Sequence, residues 1–464
     1  MEAALPDGHR LASNFTQLVA AAPSPEIGTD PANQLVLAAA TISLSLAMVS
    51  LREPRRVAEI MLSWLGLELV DLIELQTLWA GYGHICAITA RPAKNAGLPF
   101  DASAISPTLQ PEDDGSYRLI IKLISPPAAK KSRDEGHLRK MLSYEVEQYF
   151  YREVAPRLGD DVAVAKCLAS TRDMEGKPRA DELQGLMATI ITDLRPRFPV
   201  AGEKRLVLNR IQVRAALDWL ARYHAASWAP LPDELDLFLL PPFEEAERRD
   251  AGKNPKDPKL WLNGGYTYLA TRRTEYGSLC EDEYSEWSTA FCEPIKGSAK
   301  SIAELAADFL TPTGRPFETY IHGDVKSENL FTTRAGDRVA FFDFQYAGLG
   351  VGACDLAKLF TCSVPLEMLT GEEDIPDELP MGKGEKALLE QYRETLLAAR
   401  PAGRGPQEYD WDVFVRHWET ALVDWCRFQA SWGFWGNTEW LEARVRSILS
   451  DKGWRDWLKK ELTK

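Results

Sequence analysis

One short segment constrains the fold of this chain more than any other, because two candidate strands joined by a turn carry polar residues just outside them. The strands are expected over Leu330–Thr333 and Arg338–Phe342, around a turn at Gly336. A hairpin centred on Gly336 places Asn329 opposite Asp343 at its open end. Directly paired residues have Cβ atoms about 4.5–5.5 Å apart. An amide oxygen and a carboxylate can then converge on one hard cation, and Mg²⁺ is the expected ion.

A third oxygen-bearing group precedes this hairpin. The chain reads Tyr320-Ile321-His322-Gly323-Asp324, and Asp324 stands five residues before Asn329. The approach to the hairpin therefore brings Asp324 close to the expected metal pair. The chemistry natural to a carboxylate in this position is that of a base, or of a group that orients a hydroxyl.

These residues resemble a known pattern. His322-Gly323-Asp324, then Asn329 and Asp343-Phe344-Gln345, are similar to the catalytic loop and metal-binding Asp of protein-kinase-like phosphotransferases. The resemblance is strongest to the small-molecule branch, which includes choline and ethanolamine kinases, aminoglycoside phosphotransferases and the ecdysteroid-kinase-like (CHK kinase-like) group. It implies that Asp324 acts on an acceptor hydroxyl while Asn329 and Asp343 hold Mg²⁺.

The same resemblance implies the fold and the activity. The expected fold is α+β and two-lobed, with a small antiparallel-sheet N-lobe and a larger, mainly helical C-lobe. We expect an N-terminal extension over residues 1–52, a nucleotide-binding N-lobe over 53–197, and a C-lobe over 198–464 with the catalytic loop, metal and acceptor sites. The expected activity is ATP-dependent phosphorylation of a small molecule on a hydroxyl group. Gln345 replaces the glycine of Asp-Phe-Gly, and no Ala-Pro-Glu segment follows, so a kinase acting on proteins is disfavoured.

Hydrophobic patterning supports this order of elements. Strands are expected over Leu69–Ala80, His84–Ala90, Tyr117–Ile124 and Met187–Leu194, and helices over Glu135–Leu158 and Lys204–Trp228. Trp-rich helices are expected from about residue 385 to the end. A sheet followed by helices indicates two lobes that face a cleft.

Lys122 is an unusual residue for its surroundings, since it interrupts an apolar strand. A buried cation needs partners. The resemblance gives it the α- and β-phosphates of the nucleotide and a carboxylate on the following helix. Glu147 is the predicted carboxylate, because the family has Glu three residues before Phe-Tyr, and Glu145 is the alternative.

Glycines mark two further sites. Gly81 and Gly83 lie between two expected strands, where backbone amides can approach phosphates, so the pair is assigned to nucleotide binding. A strand follows them, which argues against a dinucleotide-binding turn. The glycine-rich segment Gly348–Ala353 could also pass for that motif, but its position indicates a turn after the metal site. Asp355 is then expected to cap the next helix.

The link between the lobes is expected at Thr192, Asp193 and Leu194, where backbone groups are predicted to meet adenine. His322 and His224 are interpreted as structural, because phosphoryl transfer with an Asp and Mg²⁺ needs no histidine.

The acceptor is expected to bind on the helical lobe, within reach of Asp324. Tyr266 in the 255–290 segment is one candidate. Trp432 and Trp435 are others, because adjacent glycines place them on a turn, where they could hold an apolar alcohol, or a cationic amine with help from Asp424. By contrast, nearby aromatic residues at helical spacing are predicted to be core, namely Trp418, Trp425 and Phe428.

Composition excludes other classes of protein. With 54 basic and 68 acidic residues the net charge is −14, so nucleic acid is not an expected partner. The seven cysteines are scattered and suit a reducing, cytoplasmic location. The uncharged run 35–51 leaves membrane association as an alternative, although it is short for a span. The alternative function is that of a catalytically inactive, kinase-like nucleotide-binding or regulatory protein.

Overall fold

The structure is a computed structural model that describes residues 53–78, 81–94, 100–126, 134–229, 231, 234–253, 260–371 and 374–463. The extension 1–52 and its uncharged run 35–51 lie outside these residues, so the interpretation of that run stays a prediction. None of the described helices is both long enough and apolar enough to cross a bilayer. Arg52–Lys464 form one compact unit.

The first part of the described chain forms a five-stranded antiparallel sheet. Its elements are α1 Pro54–Ser63, β1 Leu67–Thr77, β2 Gly83–Pro92, the single-turn α2 Ala102–Ile105, β3 Tyr117–Ile124, α3 Glu135–Tyr149, β4 Cys167–Ser170 and β5 Met187–Thr192. The strand order is β1-β2-β3-β5-β4. Proline in the first turn of α1 favours its start, and Val57, Ile60 and Met61 pack into the sheet core. The predicted strands are present and differ only at their ends.

Strand β3 sets the position of its one lysine. Leu119, Ile121 and Leu123 are fully buried in the core beneath the sheet. Since successive side chains of a strand alternate between faces, Lys122 projects from the opposite face. That face carries α3, so a cation is placed between the sheet and this helix.

Helix α3 begins as predicted and then changes its winding. Asp134 caps it by accepting a hydrogen bond from the backbone N–H of His137 at 2.8 Å. The prediction had one helix reaching Leu158. The chain instead passes into a π-helical turn at Phe150–Val154 and a 3₁₀ turn at Ala155–Arg157.

The remainder is mainly helical. Its helices are α4 Arg210–Ser227, α5 Pro242–Asp250, α6 Arg273–Cys280, α7 Glu286–Cys292, α8 Ile302–Leu310, α9 Ala353–Ser363, α10 Leu366–Leu369, α11 Lys383–Ala398, α12 Trp411–Trp432, α13 Thr438–Ser450 and α14 Lys452–Glu461. Short strands lie among them: β6 Val200–Ala201, β7 Trp261–Leu262, β8 Glu318–Ile321, β9 Leu330–Thr332, β10 Val339–Phe341 and β11 Gly348–Val351. The α+β architecture expected from the sequence is therefore confirmed.

Local signals explain where two helices of this part lie. Helix α4 begins later than predicted because Asn209 and Gln212 form a capping box. In α12, Trp418, Trp425 and Phe428 are buried, as predicted for core residues.

Strands β9 and β10 form the predicted hairpin, but the predicted register is wrong by one residue. Leu330 pairs with Phe341, and the N–H of Thr333 donates to the carbonyl of Arg338 at 3.1 Å. The loop is therefore 334–337, and the hairpin is centred between two residues rather than on Gly336. Asn329 lies beside Phe342 as a result, and Asp343 falls just beyond the pair.

Two other expectations after this hairpin are wrong. The glycine-rich segment is not a turn, because Gly348–Val351 is strand β11, which pairs antiparallel with β8 and parallel with β7. Asp355 does not cap α9, because the N-cap is Gly352 and Asp355 lies inside the first turn, fully buried.

Candidate active site

Three charged residues meet between the sheet and the helical part of the chain. Lys122 Nζ lies 2.5 Å from Glu147 Oε2 and 3.1 Å from Asp343 Oδ1. The structure resolves the choice between the two glutamates, because Glu145 instead forms an ion pair with Arg249 at 2.8 Å. Strand β3, helix α3 and the segment after β10 are thus joined by one cation.

The charges of this cluster hold one another in place. Burial raises the pKa of Glu147 to about 7, and the neighbouring Lys122 opposes that rise. Burial acts in the same direction on Asp343, but Lys122 and a hydrogen bond from Gln345 outweigh it and lower the pKa of Asp343. Burial alone would lower the pKa of Lys122, but the two carboxylates raise it above its usual value. The cluster carries more negative than positive charge.

The backbone at Asp343 is shaped to aim its side chain. Asp343 has φ 65°, in the left-handed region. The next residue, Phe344, is fully buried and stacks on Phe150 with ring centroids 3.6 Å apart. Gln345 Nε2 donates to Asp343 Oδ1 at 2.5 Å, so the residue that replaces the expected glycine orients the carboxylate.

A second group of polar residues lies on the loop before the hairpin. Asn329 Nδ2 donates to the carbonyl of Asp324 at 2.8 Å and to its Oδ2 at 3.0 Å. Lys326 Nζ lies 3.1 Å from the same Oδ2 and 2.9 Å from Glu328. Both of these side-chain contacts use Oδ2 of Asp324 rather than Oδ1. The sequence interpretation had missed Lys326.

The buried carboxylate of Asp355 fixes this loop. It accepts hydrogen bonds from the N–H groups of His322 at 2.7 Å and Gly323 at 2.9 Å, and it contacts His224 Nε2 at 3.1 Å. His322 Nε2 in turn contacts the carbonyl of Phe342 at 2.9 Å. Both histidines thus brace backbone and side chains around the loop, which agrees with the structural role predicted for them.

Gly81, just before β2, and Gly83, the first residue of β2, differ in what they do. A Cβ on Gly83 would lie 1.9 Å from the carbonyl oxygen of Leu123, so only glycine allows β2 to pack here. Gly81 has φ 72° and open space around it. Among the described residues, the cleft beside this turn is lined by others such as Leu78 and Ile85, not by either glycine.

The predicted link between the lobes does line the cleft. Thr192, Asp193 and Leu194 all face it. The Asp193 side chain is held by Arg195, whose Nη2 lies 2.7 Å away. Thr192 accepts a hydrogen bond from the N–H of Lys166 at 3.0 Å. The expected contact of this segment with adenine involves its backbone groups, and it stays a prediction.

One cleft of about 950 Å³ is lined by Lys122, Glu147, Asn329 and Asp343. Asp324 is not among the described residues that line it, and it adjoins the cleft through its contacts with Asn329 and Lys326.

The predicted acceptor residues Tyr266 and Trp432 line the same cleft, and the Trp432 side chain is exposed. Trp435 is placed differently, since it packs edge-on against Trp425 with centroids 5.4 Å apart. Asp424 is paired with Arg427 at 2.6 Å.

Two arginines in this half of the cleft were also missed by the sequence interpretation. Arg139 of α3 and Arg272 before α6 both line it. Both arginines lie far from the hairpin in the sequence, and no sequence pattern linked them to the site.

The oxygen ligands suit a hard divalent cation. Asn329 uses its amide nitrogen on Asp324, which leaves its oxygen as an acceptor, and Asp343 supplies a carboxylate. Within the described ranges, no group of three or more His, Cys, Asp or Glu side chains is arranged to hold a metal. A cation at this place would therefore take its remaining ligands from a bound phosphate group or water.

The fold and these groups define a class: a protein-kinase-like small-molecule phosphotransferase. The model of the ecdysteroid kinase-like family matches residues 105–375, more than half of the chain, and the protein belongs to that family. Among curated proteins, none matches the chain.

Several solved structures resemble the chain at low identity. An amicoumacin kinase in complex with AMP-PNP and Ca²⁺ has 12% identity and a TM-score of 0.37, covering 83% of this chain and 88% of its own. A macrolide 2′-phosphotransferase from Brachybacterium faecium has 14% identity and a TM-score of 0.36, with coverage of 88% and 97%. A choline kinase from Cryptosporidium parvum has 14% identity and a TM-score of 0.33, with coverage of 91% and 96%.

Proposed function

We propose that this protein transfers the γ-phosphoryl group of ATP to a hydroxyl group of a small molecule. The observation that supports this most directly is the contact of Lys122 with both Glu147 and Asp343 at the mouth of one cleft. A protein that only bound a nucleotide would not need Asp324 and Asn329 beside this cluster.

Each residue is given a distinct role. Lys122, held by Glu147, binds the α- and β-phosphates, as the resemblance implies. The N–H of Thr192 donates to the carbonyl of Lys166 at 2.9 Å and the carbonyl of Leu194 accepts from the N–H of Phe198 at 2.9 Å, so the contact with the base is assigned to the N–H of Leu194. Asn329 and Asp343 would hold Mg²⁺, which when bound neutralises phosphate charge and aligns the β- and γ-phosphates.

Asp324 acts on the acceptor. Its carboxylate is fixed by Asn329 and Lys326. As the acceptor oxygen bonds to the γ-phosphorus, the bond from that phosphorus to the β–γ bridging oxygen breaks, and the hydroxyl proton passes to Asp324. Lys326, next to Asp324, supplies positive charge where the transferred group passes. The products are a phosphate monoester and ADP.

The test is transfer of ³²P from [γ-³²P]ATP with Mg²⁺ by the purified full chain, over a panel of alcohols, amino alcohols, hydroxy acids, sterols and aminoglycosides. Asp324→Ala should lower transfer by about 10²–10⁴-fold and keep nucleotide affinity. Asp343→Ala should instead weaken Mg²⁺-dependent ATP binding, measured by calorimetry.

Asp337→Ala is the matched control, because Asp337 lies on the turn of the same hairpin and accepts a hydrogen bond from Thr333 there. It should leave transfer and binding unchanged. Nucleotide binding without transfer to any acceptor would favour the inactive, kinase-like alternative. Equal loss of nucleotide affinity in the Asp324 and Asp343 variants would contradict the division of roles.

A further inference from the structure

The part of the cleft that Tyr266 and Trp432 line has an unusual charge pattern. Arg272 is almost fully buried, with 3% of its side chain exposed, and Arg139 is nearly as buried at 9%. Arg272 Nη1 lies 2.9 Å and Arg139 Nη2 lies 3.3 Å from the same oxygen, Oε1 of Glu275. Two guanidinium groups thus share one carboxylate oxygen.

A second carboxylate near this pair, that of Glu135, is engaged elsewhere. Glu135 accepts hydrogen bonds from the N–H groups of Arg273 and Thr274 and from the Thr274 hydroxyl, at the start of α6. Arg139 and Arg272 both line the cleft, whereas Glu275 is not among the described residues that line it. The positive groups therefore face the cleft, and the carboxylate that they share lies behind them.

Aromatic rings connect these arginines to the catalytic loop. The guanidinium of Arg272 lies 4.6 Å from the ring centroid of Tyr266 and 5.1 Å from that of Trp432. Lys326, which contacts Asp324, lies 6.0 Å from the centroid of the same Tyr266 ring. Arg272 and Lys326 thus both lie near the Tyr266 ring, so a molecule packed against this ring could reach Arg272 with one group and, beside Lys326, Asp324 with another.

We infer that the acceptor is an alcohol that also carries an anionic group, a carboxylate in the simplest case, which Arg272 and Arg139 bind while its hydroxyl lies at Asp324. This rests on the proposed function and adds the class of substrate. Buried positive charge is costly unless an anion completes it. Planar guanidinium groups are suited to bind a carboxylate through two hydrogen bonds. The aromatic rings accommodate the apolar body between the two ends of the molecule.

The same contacts argue against a cationic amine as the acceptor. Arg272 already lies over the Trp432 ring that an amine would use. Asp424, the carboxylate that was expected to assist, is paired with Arg427. An ammonium group here would lie beside Arg139, Arg272 and Lys326.

The experiment varies charge on a constant molecular frame. One set of acceptor probes is 4-(hydroxymethyl)benzoate, its methyl ester and 4-(hydroxymethyl)benzylamine. The other is 12-hydroxydodecanoate, its methyl ester and 12-aminododecan-1-ol. For each, kcat and KM for phosphoryl transfer are measured with the purified full chain, and binding is measured by calorimetry with AMP-PNP and Mg²⁺ present.

In at least one set, we expect kcat/KM for the acid to exceed that for the ester by at least about tenfold, mainly through KM, with the amine poorest. Arg272→Gln should lower kcat/KM for the acid by about tenfold or more and change that for the ester less than twofold. KM for ATP should not change. Arg272→Lys, which retains the charge, should restore part of the preference for the acid.

Arg273→Gln is the matched control, because the adjacent Arg273 is exposed and pairs with Glu244 on the surface. It should change kcat/KM for neither the acid nor the ester. Melting temperatures separate a loss of folding from a loss of recognition, and Arg139→Gln provides a second variant should Arg272→Gln fold poorly.

The possible failures are distinct. Transfer to esters or amines as readily as to acids, or an acid-to-ester ratio unaffected by Arg272→Gln and Arg139→Gln, would overturn the inference and leave the proposed function standing. Acid binding that depends on Arg272, with no transfer to any alcohol, would support the anion site and contradict the proposed function. Absence of both acid binding and acid turnover would overturn the inference.

Discussion

Lys122 Nζ lies 2.5 Å from Glu147 and 3.1 Å from Asp343, so one ammonium group joins the sheet, helix α3 and the segment that follows the β9–β10 hairpin. A change in the position of any one of these elements therefore alters the contacts of the other two. The cluster sits where a nucleotide phosphate and its cation are proposed to bind.

Removal of this cation is expected to affect both stability and binding. Lys122→Met leaves the buried Glu147 and the partly exposed Asp343 without their counter-ion, which should cost up to about 3–5 kcal/mol of folding free energy if both stay ionised. Urea unfolding measures that loss, and calorimetry should show weaker ATP binding. The free energy should fall less if Glu147 takes up a proton, since its pKa is already raised to about 7.

Glu145→Gln is the matched control for Glu147→Gln, because the two glutamates stand on the same helix. Glu145 pairs with the partly exposed Arg249, so its loss should change stability by less than about 1 kcal/mol and leave ATP binding intact. Equal effects of the two variants on ATP binding would show that the Lys122–Glu147 contact is not functional.

Asp355 is expected to control the shape of the loop that carries Asp324. Asp355→Ala removes the acceptor of two backbone N–H groups, those of His322 and Gly323, and leaves them buried and unpaired. Each such group costs about 1–3 kcal/mol. We expect a lower melting temperature and a kcat reduced by at least about tenfold, with KM for ATP little changed, in steady-state assays. A variant with normal kcat and lowered stability would restrict Asp355 to folding.

The stability of the protein is expected to depend on pH through His417. Burial, with a smaller contribution from Arg315, lowers the pKa of His417 to about 3. A histidine in an unfolded chain has a pKa of about 6.5. Between pH 6.5 and pH 3, His417 therefore binds a proton in the unfolded chain but not in the folded protein. The free energy of unfolding should therefore decrease as pH falls from about 6.5 towards 3, by up to about 1.4 kcal/mol per pH unit.

Denaturant unfolding of wild type and His417→Gln at a series of pH values checks this. A glutamine amide can either donate to or accept from the Tyr409 hydroxyl, which contacts His417 Nδ1 in the wild type. The variant should lose part of the slope, and the remainder includes His322, whose pKa is also lowered by burial. His84→Gln serves as the comparison, because His84 is partly exposed and its ring contacts Glu74 at the surface. Parallel curves for His417→Gln and wild type would contradict the assignment.

Trp432 and Trp435 are expected to respond differently to replacement. Trp432 is 52% exposed and lines the cleft, so Trp432→Ala should raise KM for the acceptor and leave KM for ATP unchanged. Trp435 packs against Trp425, so Trp435→Ala should mainly lower the melting temperature. An unchanged acceptor KM in Trp432→Ala would move the acceptor site towards Tyr266 alone.

The sequence by itself determined those features that depend on neighbours along the chain. The interruption of an apolar strand by Lys122 predicted a cation that needs partners, and the spacing of Asp324, Asn329 and Asp343 identified the loop and hairpin of the candidate site. It could not fix the register, because one hydrogen bond between Thr333 and Arg338 made the loop 334–337 and shifted the pairing.

Only the tertiary structure decided which side chains from distant segments meet. Glu145 and Glu147 are two residues apart on one helix and so face different directions, one towards Arg249 and the other towards Lys122. Asp355 reached the catalytic loop, and Arg139 came beside Arg272, through the packing of separate elements. No local pattern encodes such encounters, because they depend on how whole helices and strands pack against one another.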